Sequence, residues 1–346
     1  MSTVIETGVG AINYGKQSAK GTIATAATTT VGYNRLKHVG GGLKSGKKLG
    51  KENYTDGQRF PSPSVWVDRV GGDVGQLTLE LQPENIGLFY AQVLGSDVVT
   101  GASDPYTHTI TPSNSGGTWG TWWQKVGSAV GPQREAYWDS KIKKFVQNSP
   151  RERNSVHAEL DIAALKAAQA FTTDPAKTED TSDPWLLTEA SGALTFDGTV
   201  VSDIEDSIIE ISTGIEAFFG DGVEPLQLIE GRDDVGISRS IQAIVTDDTL
   251  GKYRKALYNS TSPSAGDRPG GVVFAPAISQ VFTRSVTRTA TITNPKVAID
   301  PANFDEMGPQ PEGGKKAITF GGQCLKSGGS PQITVEVLSA DATAYA

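Results

Sequence analysis

The chain has 346 residues, enough for two domains that each bury a core. Its 40 glycines and 18 prolines, with abundant Thr, Val and Ser, favour short strands and turns over long helices. The net charge of -8 argues against general nucleic-acid binding, and the lone Cys324 excludes an internal disulfide and a cysteine-based zinc site.

Residues 1–6 lack the basic start and apolar core of a signal peptide, and no apolar run approaches the roughly 20 residues that cross a bilayer. A cytosolic, unprocessed product is expected. Strands are expected over 10–27 and 31–39. The segment 40–59 is rich in Gly and Lys, with Gly41, Lys44, Lys47, Lys48, Lys51 and Arg59, and reads as a mobile, exposed loop. Strands resume over 64–69 and 76–81, the second alternating as a half-buried strand does. Pro83 suits the first turn of a helix over 83–96, Glu84 suits its positive end, and Gly95 stops it.

Beyond the helix, strands are expected over 106–111, 119–126 and 136–147, the last pairing with 156–163 across a turn. The polar, proline-containing stretch 172–182 reads as a linker. Strands over 207–219 and 225–230 follow it, then a helix over 247–260, then strands over 271–275, 286–293, 296–299 and 316–320. A last strand over 333–338 is a candidate to pair with a neighbouring molecule.

The second half echoes the first. Asp73-Val74-Gly75 opens an apolar run (Leu77, Leu79, Leu81) that leads into the first helix, and Asp234-Val235-Gly236 opens another (Ile237, Ile241, Ile244) that leads into the second. Ile86-Gly87 matches Leu250-Gly251, Phe89 matches Tyr253, and Val93-Leu94 matches Leu257-Tyr258. A spacing of roughly 160 residues is one domain long, far beyond solenoid periods. The expected division is therefore a first domain over 1–171, a linker over 172–182 and a second copy over 183–346.

Charge is segregated. The first sixty positions are basic, while 174–234 is acidic and holds Asp203, Glu205, Asp206, Glu210 and Glu216. Opposite charge at two places suits head-to-tail contact between copies; two independently solvated faces is an equal alternative.

Known chemistry is represented only by near misses. Residues 41–48 approach a phosphate-binding loop, but Lys48 stands where that motif needs Ser or Thr, and 49–59 is no helix. His38, His108 and His157 have no neighbours at metal-ligand spacing, and no Gly-x-Ser-x-Gly elbow is present. Asp300, Asn303, Asp305 and Glu306 lack the spacing and glycine of a Ca²⁺ loop and read as a turn. No catalytic, cofactor-binding or metal-ligating residue is assigned. Trp119, Trp122, Trp123, Tyr137 and Trp138 cluster in sequence; packing or a subunit interface is favoured over stacking on sugars. A carbohydrate-binding accessory protein and a glycosidase remain the rival readings.

The segments, in this order, resemble the tail tube (major tail) proteins of long non-contractile-tailed bacteriophages. The resemblance is carried by residues 14–22 (Tyr14 to Thr22), by 73–81 with the helix ending Val93-Leu94-Gly95, by Tyr106-Thr107-His108-Thr109-Ile110, and by 141–145 with Ala158-Glu159-Leu160-Asp161-Ile162. One position departs: an acidic residue is usual near Gln17. The resemblance implies a mainly β fold of two tandem β-sandwich or barrel domains, each with a short flanking helix, whose sheets join between domains and subunits into a ring-shaped barrel. It implies trimeric, pseudo-sixfold rings stacked head to tail into a tube for genome delivery. Implied partners are other copies of the chain, tape-measure, tail tip and tail terminator proteins, and transiently passing double-stranded DNA. The place of action is the virion tail, after synthesis in the host bacterial cytoplasm, with no cofactor and no catalysis. On this view the 40–59 loop makes ring-to-ring contacts, and the Asp203–Glu216 acids face the lumen or an interface.

Overall fold

Alternation of apolar and polar side chains organises the first half. Leu77, Leu79 and Leu81 point inward while Gln76, Thr78 and Glu80 point out, the signature of a strand with one buried face. The computed structural model describes residues 11–24, 33–35, 38–44, 47–54, 62–70, 72–114, 117–126, 133–151, 155–169, 177–179, 182–190, 194–201, 203–222, 225–264, 266–301 and 317–345. The first half holds β1 (Ala11–Lys16), β2 (Tyr33–Arg35), β3 (His38–Leu43), β4 (Lys47–Tyr54), β5 (Ser62–Val70), β6 (Gly72–Glu80), α1 (Ile86–Leu94), β7 (Gly95–Thr100), β8 (Tyr106–Pro112), β9 (Gly120–Val126), β10 (Gln133–Asn148), β11 (His157–Gln169) and β12 (Lys177–Glu179). The second holds α2 (Leu187–Ala190), β13 (Thr195–Phe196), β14 (Thr199–Val200), β15 (Ile204–Phe219), β16 (Pro225–Ile244), α3 (Asp247–Tyr258), β17 (Ile278–Ser285), β18 (Arg288–Asn294), β19 (Val297–Ile299), β20 (Ala317–Cys324) and β21 (Thr334–Ser339).

Two sheets run through both halves. In one, neighbouring antiparallel strands follow the order β3-β6-β11-β10-β15-β16-β20-β19, and the N-terminal part of β10 also pairs β9, which carries β1, β2 and β12. The other sheet reads β14-β13-β17-β18-β21-β8-β7. A third, two-stranded sheet is the β4–β5 hairpin. The mainly β architecture with short helices is as expected. The last strand is a correction: β21 pairs within the chain, with β8 on one side and β18 on the other, since the two hairpins leave a gap of one strand between them.

The eight-stranded run contains the same four-strand pattern twice. In β3·β6, His38 faces Leu79 and Gly40 faces Thr78, so Val39 is the extra residue of a bulge. In β15·β16, Ile204 faces Ala243 and Asp206 faces Gln242, so Glu205 is the extra residue of another. Superposing the bulges equates Leu79 with Ala243. The same offset equates Ile86 with Leu250 and Gly95 with Asn259, the two left-handed residues that cap α1 and α3. One strand further on, Leu77 faces Leu160 and the equivalent Ile241 faces Phe320. Thus β3, β6, β11 and β10 correspond in order to β15, β16, β20 and β19, and the junction between the two sets is β10·β15.

The Gly/Lys-rich stretch corrects a second expectation. Residues 38–43 are a strand against β6, and 47–54 one arm of a hairpin, so most of the expected loop is paired backbone. Glycine serves here for close approach: at Gly41 (φ 80°) a Cβ would lie 2.1 Å from the Gln76 carbonyl oxygen. Backbone partners, not composition, decide the conformation.

The larger core lies between the sheets around α1 and draws Leu79, Phe145 and Leu160 from one sheet, and Ile110, Ile292 and Val335 from the other. A second core, under α3, gathers Leu194, Phe196, Ile241, Ile278 and Phe320.

Candidate functional site

The surfaces of the described residues that can make contacts are the outer sheet face, the sheet edges and the hairpins. The outer face of the eight-stranded run is polar because every second residue of each strand points away from the core. Across its middle the register aligns Thr78, Glu159, Val146, Glu210 and Ser238 in one row, and Gln76, Asp161, Lys144 and Ser212 in the next. Lys144 and Glu210 meet across the β10·β15 junction at 2.8 Å, both side chains about two-fifths exposed. The hydrogen bond that Lys144 donates to Glu210 raises the Lys144 pKa against a smaller lowering by burial, and the Asp161 and Glu159 charges add to the rise. On this face carboxylates outnumber cations.

The five sequence-predicted acids do not form one patch. Asp206 and Glu210 share the outer face, and burial raises the Asp206 carboxyl above its usual range. Glu205 is the bulge residue and pairs with Arg151 at 3.2 Å. Asp203 precedes β15, and Glu216 lies beyond a further register shift near Gly214, on the outer part of the hairpin. Glu159 and Asp161, which do line the face, were signalled by the alternation of Ala158, Leu160 and Ile162 with carboxylates.

Both sets of strands extend beyond the sandwich as hairpins. One is β4–β5, which carries Lys47, Lys48 and Lys51; Lys44 stands at the end of β3, and Arg59 lies outside the described residues. The other is the outer part of β15–β16, where Phe218, Leu226, Ile229 and Val235 are exposed. At the β3 edge, the Gln124 side-chain amide accepts from Leu43 N at 2.7 Å and donates to Leu43 O at 2.9 Å. It takes the place that Gln147 holds against Ile209 at the β10·β15 junction.

The remaining motif residues are structural. Trp122 is fully buried between Tyr14 and Phe89, and Trp123 is nearly so against Ala24 and Ala136. Trp119 lies beneath the ammonium groups of Lys20 and Lys141. Packing thus accounts for most of the aromatic cluster, as favoured from the sequence. Gln17 is buried and bonds Asp139 twice, through Nε2 to Oδ1 at 2.9 Å and from Asp139 N at 2.8 Å, so a carboxylate distant in sequence supplies the acid missing beside it. Sequence reasoning missed this pair, and missed the network in which His108 joins Asp97 and the backbone of Asp341.

Among the described residues, no group of three or more His, Cys, Asp and Glu is placed to hold a metal ion, and no helix is long and apolar enough to cross a membrane. Arg239, wholly buried, bonds Asn294, Ser207 and Gln280; burial lowers its pKa to about 10 and raises that of nearby Cys324 to about 11. No curated protein sequence matches the chain. The family model for the phage tail tube protein matches residues 8–337. With its β-rich fold of antiparallel sheets, the chain belongs to the phage tail tube protein family.

Proposed function

We propose that the chain carries two tandem tube repeats, close to the expected 1–171 and 183–346, and that three chains close into a pseudo-sixfold ring. Rings then stack head to tail into a tube that conducts the genome. One observation carries this reading: the two four-strand sets recur in the same order with the same bulge and are joined edge to edge at β10·β15. Applied again, the operation that joins them brings the C-terminal end of β19 of one chain towards the β3 side of the next. A heterologous contact that repeats with a closing rotation makes a ring, and a closed wall leaves no strand edge exposed.

The outer sheet face becomes the channel wall. Its carboxylates, Asp206 and Glu210 with Glu159 and Asp161, repel phosphate and let DNA slide. The two hairpins make the ring-to-ring contacts, one basic and the other apolar. Tape-measure, tip and terminator proteins are the expected partners in a virion tail, and no catalysis is proposed. The test is cryo-electron microscopy of tails from virions that carry this chain. Threefold rings with the β3-to-β19 face of the sheet lining a hollow channel are expected. Sixfold rings, or a lumen lined by the other sheet, overturn the repeat reading.

A further inference from the structure

The β3 edge is closed by a side chain where the matching edge of the second strand set is closed by a strand. Gly41 faces Leu77 as Ser207 faces Ile241, so two positions on, Leu43 stands where Ile209 stands. Ile209 has Gln147 of β10 opposite it. Among the described residues, β3 pairs with no strand but β6. On its other side the Gln124 carboxamide accepts from Leu43 N at 2.7 Å and donates to Leu43 O at 2.9 Å. A residue of an antiparallel strand holds the residue opposite it by the same two-bond exchange. One primary amide can imitate it, because it offers a donor and an acceptor as a peptide group does. The backbone of Gln124 sits in β9 between Ile12 of β1 and Glu135 of β10, so only its side chain reaches β3. Trp122, two positions back on the same face of β9, is fully buried and anchors the strand. With Gln124 in place Leu43 is 3% exposed, while Gly41 and Gly42 beside it are exposed.

We infer that Gln124 guards the β3 edge: its carboxamide occupies the Leu43 backbone groups that a strand from a second copy of this chain would otherwise take. A strand edge with unpaired N–H and C=O groups is a template for strand addition. A glycine-rich edge offers few side chains to reject an incoming strand or to fix its register. A buried backbone group without a partner is costly, so the groups of Leu43 go either to Gln124 or to an arriving strand, and the two exclude each other. The guard belongs to the same chain and is present at high effective concentration, so it prevails while the chain is dilute. The inference concerns the single chain and does not rest on the ring reading.

The test uses the purified full chain. Gln124→Met keeps the length of the side chain and removes both hydrogen bonds. The concentration at which this variant begins to self-associate, measured by sedimentation velocity, is expected to fall about tenfold or more below that of the original chain. Hydrogen exchange at the Leu43 amide, read by mass spectrometry, is expected to be fast in the dilute variant and slow again once it associates. A purely structural role gives faster exchange at every concentration with an unchanged threshold, and that result overturns the inference, as does association that leaves the Leu43 amide unprotected. Gln124→Glu decides the matter if the first variant does not fold. A protonated carboxyl donates and accepts as the amide does, whereas a carboxylate only accepts. Compared with the original chain at each pH, this second variant is expected to associate more readily at about pH 8 and close to the original at about pH 4. A second variant that follows the original at both values overturns the guard, and neither result touches the tube reading.

Discussion

The two helices occupy equivalent places and are held by opposite means. α1 has no charged residue, makes no side-chain cap bond at Asn85, and buries all nine of its residues among β7, β8, β10 and β21. α3 buries only Thr249, Lys252 and Ala256. Its ends are written locally: a capping box between Thr246 and Thr249, Asp247 and Asp248 in the first turn, Lys255 in the last. A helix wrapped by sheets can do without a side-chain N-cap, because packing supplies its stability; a helix on the surface must bring its own N-terminal signals. The match between the two strand–helix units thus extends to position and not to energetics.

The largest expected consequence is at the matched aromatics. Phe89 is fully buried and stacks on Trp122 with ring centroids 6.3 Å apart. Tyr253 is only partly buried against the second core. Phe89→Ala should cost about 3–5 kcal/mol of unfolding free energy, and Tyr253→Ala about 1 kcal/mol. Denaturant titrations of the two variants measure the contrast, and equal losses would abolish it.

The matched glycines should differ in sign. A Cβ at Gly87 would lie 2.7 Å from the ring of Tyr345, which is itself buried, whereas at Gly251 the nearest atom is Thr261 Cβ at 4.0 Å. Alanine favours a helix over glycine by about 0.5–1 kcal/mol, but overpacking costs about 1–3 kcal/mol. Gly87→Ala should therefore lose about 1 kcal/mol, while Gly251→Ala should gain about 0.5 kcal/mol. The midpoints of thermal unfolding should move in opposite directions; a shift of the same sign would mean that Tyr345 yields.

How legible was this molecule? The strand–helix units, the capping role of Gly95 and the hairpin of β10 with β11 were readable, because alternation, helix ends and turns are written within a few neighbouring residues. What depends on distant partners was not. The glycines of β3 look like a loop until β6 is set beside them, and β16 runs from the acidic stretch to Ile244 because β15 pairs it over 225–230 and again over 235–243. The acidic candidates were visible as charge, yet their face needed the register. A one-residue bulge at Glu205 decides that Asp206 points outward, and Asp139 became the partner of Gln17 only through a fold that closes 122 residues.

The smallest expected effect separates the two hairpins that flank β21. Val337 faces His108 on one side and Ala290 on the other, so only the first-half attachment can titrate. His108 Nδ1 lies 2.8 Å from Asp97 Oδ2, and Nε2 lies 2.9 Å from the Asp341 carbonyl oxygen. Both ring nitrogens thus face acceptors, and only the imidazolium donates from both. Burial by itself lowers the His108 pKa, but the bond to Asp97, the bond to Asp341 and the charges of both residues outweigh it, leaving the pKa above 6.5. A folded pKa above the unfolded one gives stability that is complete below about pH 6.5 and is lost as pH rises through the folded value. The stability advantage of the original chain over His108→Gln should therefore be larger at about pH 5.5 than at about pH 9, while Ala290→Ser should change stability by the same amount at both. Tyr345, whose backbone N–H donates to the same Asp97 oxygen at 2.7 Å, should loosen with it, so near-ultraviolet dichroism should follow the titration. An advantage that does not vary with pH would show that His108 stays neutral and that the two attachments of β21 are alike.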